Sequence, residues 1–369
     1  MVPNSEYESF DILESFMKDV FVKVGVPSDD AAVCADVLIE SDKRGIDSHG
    51  IGRFKPIYID RIKSGIQNPV TKFEIVKDHL ATAVVDGHDG MGQVIAKKSM
   101  QIAIDKAKQH GLGMVVVRNS THYGIAGYYA SMTTKAGMVG ITGTNARPSI
   151  APTFGIENML GTNPLTIGIP SDEDFPFILD CATSVSQRGK IEHYERIGKR
   201  MPPGWVINGD GSTETDPSRA LEGLTKGTSA LAPIGGLGED TAGYKGYGYA
   251  TVVEILSAAL QQGQFLKALS GSDSSGKHVP YHLGHFFIAV DISAFVELGK
   301  FKKTTGDILR ELRASAKIPG QERIYTAGEK EYLAWLSRKD TGVPLNESLR
   351  KTIKGLKEEY NLDSYKFNF

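Results

Sequence analysis

Residues 81–117 read ATAVVDGHDGMGQVIAKKSMQIAIDKAKQHGLGMVVV. ATAVVD (81–86) is a short apolar run rich in valine, as a strand requires, and MVVV (114–117) repeats that texture. Between them, residues 92–109 carry apolar side chains at helical spacing, and GLG at 111–113 is a stop signal. The chain therefore alternates strand, helix and strand here, and a mixed or partly parallel sheet follows.

Further out, MVGITG (138–143), LTIGI (165–169) and FILD (177–180) read as strands, and 124–136 reads as a helix. Toward the amino terminus, 6–24 and 29–44 are helical, with Phe10, Leu13, Phe16, Met17 and Val20 in register and Ser28 placed to cap the second helix. A third helix, over 53–64, follows the turn GIDSHG directly. Toward the carboxyl terminus, 198–245 is dominated by glycine, proline and small polar residues and reads as a long run of turns. A helix over 246–261, a strand FFIAVD (286–291) and covering helices over 302–316, 326–338 and 346–360 complete the pattern. The fold class expected is α/β with mixed α+β character: a mixed sheet flanked by helices, with a helical part built from the two termini.

With 369 residues the chain exceeds what one hydrophobic core usually serves, so two lobes are expected. Its 42 basic and 44 acidic residues leave a net charge of -2, without the basic excess that a nucleic-acid partner demands. Two cysteines, Cys34 and Cys181, are too few for a disulfide framework and point to the reducing cytoplasm. The amino-terminal stretch MVPNSEYESFDILESF has no export signal, and no apolar run reaches the roughly 18 residues of a membrane helix.

The search for chemistry starts with absences. No G-x-G-x-x-G follows a strand, no Walker-type loop occurs, and neither C-x-x-C nor H-E-x-x-H supports a metal site. What remains is GIDSHGIGR (45–53), which sets Ser48, His49 and Arg53 on a pliable turn, and RNSTHYGIAG (118–127), where His122 follows a strand. An imidazole in such a place is either a solvated residue or an acid–base group. The other seven histidines read as solvated surface residues. Arg53 is either an exposed ion-pair partner or a bidentate clamp on a carboxylate. Asp180 ends a strand, where it either caps the following helix or orients a histidine. Arg147 is a lone cation in the neutral stretch TNARP (144–148), and Lys245 in GYKGYG suits a turn or a phosphate.

Taken in order, GIDSHGIGR, DGHDGMGQ, NSTHYGIAGYY, TNARPSIAPTFG, LGTNPLTIGIPS, LDCATSVSQRGKI, GWVINGDG and GYKGYG resemble the malate/L-lactate dehydrogenase family of the second, non-Rossmann type, from about residue 6 to about 335. The resemblance implies a family-specific fold that binds a nicotinamide cofactor, NAD or NADP, without the glycine fingerprint. By the same resemblance, 76–245 forms the cofactor-binding domain, and 1–75 with 246–369 forms a helical, substrate-side domain. His49, Ser48 and Asp180 match a proposed relay, other members assigning the acid–base role to the histidine matching His122. Arg53 matches the arginine that grips the substrate carboxylate. Cofactor contacts are implied at Tyr123, Gly124, Asn145, Asp180, Cys181, Ala182 and Lys245, and near Gly320 to Glu322. Arg147 departs from the neutral residue expected in TN-x-x-P, which favours a dicarboxylate, so malate and oxaloacetate are the expected pair. Lactate, sulfolactate, ureidoglycolate and cyclic imine carboxylates are the alternatives, and a non-catalytic nucleotide-binding member is the alternative of a different class. Arg188 and Lys190 are candidates for a 2'-phosphate contact. Family members are expected to be homodimers.

Overall fold

The computed structural model describes residues 6–369, so the first five residues of the acidic amino-terminal stretch lie outside the described residues. A seven-stranded mixed sheet forms the centre, in the order Glu74–Asp78, Thr82–Asp86, Leu112–Ser120, Leu283–Asp291, Met138–Thr144, Leu165–Ile169, Phe177–Cys181. Only Thr82–Asp86 and Leu112–Ser120 pair in parallel; every other neighbour is antiparallel. The parallel pair follows from the helix Gly92–His110, which carries the chain back across the sheet before the second strand begins. That helix stops where Gly111 takes a left-handed conformation (φ +80°), the geometry a helix end demands and glycine adopts freely. Its buried face, including Ile95, Met100, Ala103 and Ile104, packs on Val85, Val115, Val117 and Phe287.

The two termini build a separate apolar cluster. Leu13, Phe16, Met17, Val20 and Phe21 of Phe10–Lys23 meet Ala31, Leu38 and Ile39 of Ser28–Lys43, and Val343, Leu345, Ile353 and Leu356 close over them. The short strand Glu6–Glu8 pairs with Val343–Leu345 and ties the ends together. These first residues are a strand rather than part of the expected helix, and Ser9 caps the helix that follows by accepting from Ile12 N. Ser28 is the first residue of its helix instead of the cap: Pro27 precedes it and offers no side-chain oxygen.

Two further expectations are corrected. The helix after GIDSHG runs as Ile51–Arg53, then a π-helical turn Phe54–Ile59, then Asp60–Lys63. Pro56 sits in the widened part, where it lacks the N–H and the room that a regular α-turn requires. The stretch 198–245 is no plain run of turns either. It contains a three-stranded antiparallel sheet, Ser229–Leu231, Val206–Asn208 and Thr213–Glu214, and the helix Pro217–Lys226. These elements pack with Arg188–Arg196 around Ile191, Met201, Val206, Ala220 and Leu231. Strands of two or three residues are too short to show alternation.

The central strand Leu283–Asp291 comes from beyond residue 245, so the sheet spans the division expected at that point. Among the described residues no helix is long and apolar enough to cross a membrane.

Candidate active site

The turn that carries Ser48 and His49 is fixed from below. Asp42, fully enclosed, accepts a hydrogen bond from Ile51 N at 2.8 Å and so caps the next helical segment. Arg338 donates to Asp42 O at 2.7 Å and to both carboxylate oxygens of Asp47, at 2.5 and 3.0 Å. Burial pushes the Asp42 carboxyl up to about 8, against the hydrogen bond from Ile51. On this base the Ser48 hydroxyl stands 2.8 Å from His49 Nδ1, and Arg53 Nε donates to Ser48 O at 2.7 Å.

His122 arrives from the other side, on the loop after Leu112–Ser120. Gly92, at the start of its helix, donates to Thr121 Oγ1 at 3.0 Å, and a Cβ there would fall 2.3 Å from Thr121 O and 2.5 Å from His122 O. Only a residue without a side chain lets the helix come this close, and that contact fixes the loop. His122 and His49 stack with ring centroids 5.8 Å apart and planes 18° from parallel. Tyr58, buried on the π-helical turn, places its hydroxyl 2.7 Å from His122 Nδ1. Gly124 N also points at that nitrogen, at 3.3 Å. A backbone N–H can only donate, so Nδ1 presents its lone pair, Tyr58 donates to it, and the ring proton of neutral His122 sits on Nε2.

Beside His122 lies a cavity of about 240 Å³ lined by Arg61, Arg147, Arg188 and Tyr281, with Ser149, Asn158 and Thr162 among the remaining lining residues. No acidic residue lines it. Arg188 is partnered by Glu192 at 3.2 Å and by Thr225 at 3.1 Å. The guanidiniums of Arg53, Arg61 and Arg147 form no ion pair among the described residues. Desolvation, with Arg53 and Arg61 adding to it, holds both histidines neutral. His49 is pushed down to about 4, first by desolvation and then by Arg53. Desolvation, then His49, Arg61 and Arg53, carry His122 well below the usual histidine range.

The remaining sequence candidates fall elsewhere. Asp180 lines a groove of about 310 Å³ with Ile46, Gly127, Tyr325, Thr326 and Gly328. Its oxygens accept from Gly127 N at 2.7 Å and Thr166 Oγ1 at 2.8 Å, so it caps the helix Ala126–Lys135 that precedes it in the chain, not one that follows. No hydrogen bond among the described residues joins it to Ser48 or His49. Cys181 and Ala182 follow it, both partly buried. Tyr123 is a core residue, stacked between Tyr129 at 5.0 Å and His285 at 4.5 Å. Both ends of the Asn145 side chain are occupied by backbone, Oδ1 accepting from Gly284 N and Nδ2 donating to Gln264 O. Lys245 is exposed on Gly243–Ala258, over the Tyr244 ring, and Gly320 to Glu322 are exposed. Lys190 lies over Trp205, 4.8 Å from the ring centroid.

Sequence reading missed three residues of this neighbourhood and misplaced one. Tyr58, Arg61 and Tyr281 lie in no glycine-rich motif, and only the spacing of Arg61 two turns beyond Arg53 hinted at a shared face. His285, read as solvated, is wholly enclosed in the central sheet with Nδ1 2.7 Å from Thr144 Oγ1, because its strand is covered on both faces. Among the described residues no cluster of three or more His, Cys, Asp or Glu could hold a metal ion.

Comparison with known proteins agrees with this architecture. The family model described as malate/L-lactate dehydrogenase matches residues 9–354. The chain is 43% identical over 348 residues to the malate dehydrogenase of Pyrococcus horikoshii, covering 94% of this chain and 93% of that one. It is 39% identical to the L-sulfolactate dehydrogenase of Methanocaldococcus jannaschii over 94% of both chains. Among solved structures, the malate dehydrogenase from Entamoeba histolytica superposes with a TM-score of 0.93 at 46% identity, covering 97% of this chain and 98% of that one.

Proposed function

The chain belongs to the malate/L-lactate dehydrogenase family and is a 2-hydroxy acid dehydrogenase, and we propose that it interconverts malate and oxaloacetate with NAD or NADP in the cytoplasm. The observation that carries the choice of substrate is the cavity beside His122, where unpaired guanidiniums meet no acid. Arg53 and Arg61, half-buried, and Arg147, exposed, have no acidic partner among the described residues, and a dianion with a carboxylate at each end can pair with two of them at once. Arg53 then grips the carboxylate beside the reacting carbon, and Arg147 meets the distal one.

A nicotinamide group, when bound, would supply the hydride in one direction and accept it in the other. The Asp180 groove is the place we assign to such a cofactor, because residues of the two segments that carry His49 and His122 line it. It begins at Ile46, three residues before His49, and includes Ile125 and Gly127, just after His122. Asp180 and Gly127, hydrogen-bonded to each other, would shape its wall, and Tyr325 would flank it. The two histidines divide the remaining work. With its proton on Nε2, His122 holds the substrate oxygen by donating a hydrogen bond. His49 moves the proton, since the Ser48 hydroxyl can accept from or donate to Nδ1 and so tolerates either protonation state. In oxidation the hydroxyl proton passes to His49 as the hydride leaves the carbon; in reduction His49 returns it to the oxygen. Binding of the dianion next to Arg53 offsets the charge that depresses His49 and brings its pKa toward working pH.

We extend the reading to a homodimer, supported by the exposed apolar face of Gly243–Ala258, where Tyr249, Val252 and Ile255 are each about half exposed. Light scattering at twice the monomer mass is the expected result.

The direct test is absorbance at 340 nm with the purified protein, NADH or NADPH, and oxaloacetate, pyruvate, sulfopyruvate or a cyclic imine carboxylate. Oxaloacetate is expected to give the highest kcat/KM. Preference for another member of the panel would move the substrate, and silence throughout would leave only nucleotide binding.

A further inference from the structure

We infer that Arg61, braced by Tyr281, is the residue that selects a distal anionic group on the substrate, acting with Arg147; this rests on the dehydrogenase reading above. Arg61 lines the same cavity as His122 and Arg147, and its guanidinium has no hydrogen bond or ion pair among the described residues. Its Cζ sits over the Tyr281 ring, 4.4 Å from the centroid. The aromatic face holds a guanidinium in place without neutralising it, which leaves the donor edge free for a planar anion. Arg61 is half-buried, and the nearby Arg147 adds a like charge that a bound anion would offset.

The bracing is itself built in. Tyr281 packs on Gly271, where a Cβ would fall 2.5 Å from the ring, so the shelf has no room to shift that way. The next residue, His282, is paired through Nδ1 with Asp89 Oδ1 at 2.9 Å. Both take left-handed backbone, at φ +51° and +56°, a conformation that side-chain-bearing residues keep only when their surroundings hold them. Asp89 belongs to the loop between Thr82–Asp86 and the helix Gly92–His110, so the Arg61 shelf is fixed to the central sheet. Arg53, by contrast, is tethered to Ser48 in the histidine turn. The two ends of a dianion thus meet arginines carried by one helical stretch and held by two separate supports.

The test compares two 2-oxo acids that share the reacting carbon. Oxaloacetate has a distal carboxylate, and pyruvate has a methyl group instead. Arg61→Gln should lower kcat/KM for oxaloacetate at least tenfold and leave that for pyruvate within about threefold, as the loss of one charged hydrogen-bond pair to one substrate only requires. Arg61→Lys should recover part of the loss. Circular dichroism and melting temperature establish that each variant is folded. Equal losses on both substrates, or none on either, overturn the inference. Should the parent protein reduce neither 2-oxo acid, the proposed substrate fails by itself, and calorimetric titration with L-malate then tests Arg61 alone: the inference requires at least tenfold weaker binding by Arg61→Gln, and unchanged affinity overturns it.

Discussion

The cavity beside His122 and the groove beside Asp180 are built on opposite electrostatic plans. In the cavity beside His122, Arg61 and Arg147 have no acidic partner among the described residues, and His122 and the His49 ring stacked on it are held neutral. In the groove beside Asp180, a buried carboxylate has already spent both oxygens on a helix N-terminus and a threonine, and burial raises its pKa. One recess leaves two guanidiniums without an acidic partner among the described residues; the other has its carboxylate hydrogen-bonded as it stands. An unsatisfied charge that the fold maintains marks a place where a ligand finishes the structure. A satisfied one shapes a surface.

Ways to break this comparison begin with the histidines. His49→Ala and His122→Ala should each lower kcat by about 10²–10⁴-fold with the melting temperature nearly unchanged, read by steady-state kinetics on oxaloacetate. A variant with parental turnover would remove that imidazole from the chemistry. Next come the clamps: Arg53→Ala or Arg147→Ala should raise KM about 10–100-fold, the equivalent of about 1.5–3 kcal/mol for a charged hydrogen bond, and an unaltered KM would count against either. In the groove the effect should instead fall on stability. Asp180→Ala removes a cap, so a loss of about 1–2 kcal/mol in chemical denaturation is expected, with less change in KM for the 2-oxo acid than the arginine variants show. Equal effects from both recesses would erase the distinction drawn between them.

The smallest effects are those of pH. His49 titrates near 4 when folded against an ordinary value of 6.5, so the unfolded chain binds more protons in between. Stability should therefore fall as pH drops through 6.5 toward 4, and His49→Ala should soften that limb. Asp42 has the opposite sign. Its folded value of about 8 lies above the ordinary 3.8, so its contribution is present at low pH and is lost as pH rises toward 8. Urea titrations across this range should find Asp42→Asn flatter on the alkaline side than the parent, and parallel curves would show that Asp42 does not titrate there.

The sequence by itself determined the alternation of strand and helix over 81–117, the helical ends and the histidine turn, because periodicity and glycine stops are local properties. His49, His122, Arg53 and Arg147 were legible as candidates for the same reason: each is a reactive or charged group in a neutral, pliable stretch. Other matters were left to the tertiary structure. Residues 206–231 fold only against Ile150, Leu160 and Ala250, which no short window contains. Asp180 reads along the chain as a cap for the helix that follows or as a group that orients a histidine, yet the helix it caps begins more than fifty residues earlier. Arg61 and Tyr281 lie 220 residues apart in sequence and 4.4 Å apart in space. Local pattern reports which residues bury a face; only the closing of the sheet across Leu283–Asp291 decides which charges are left facing each other without a partner.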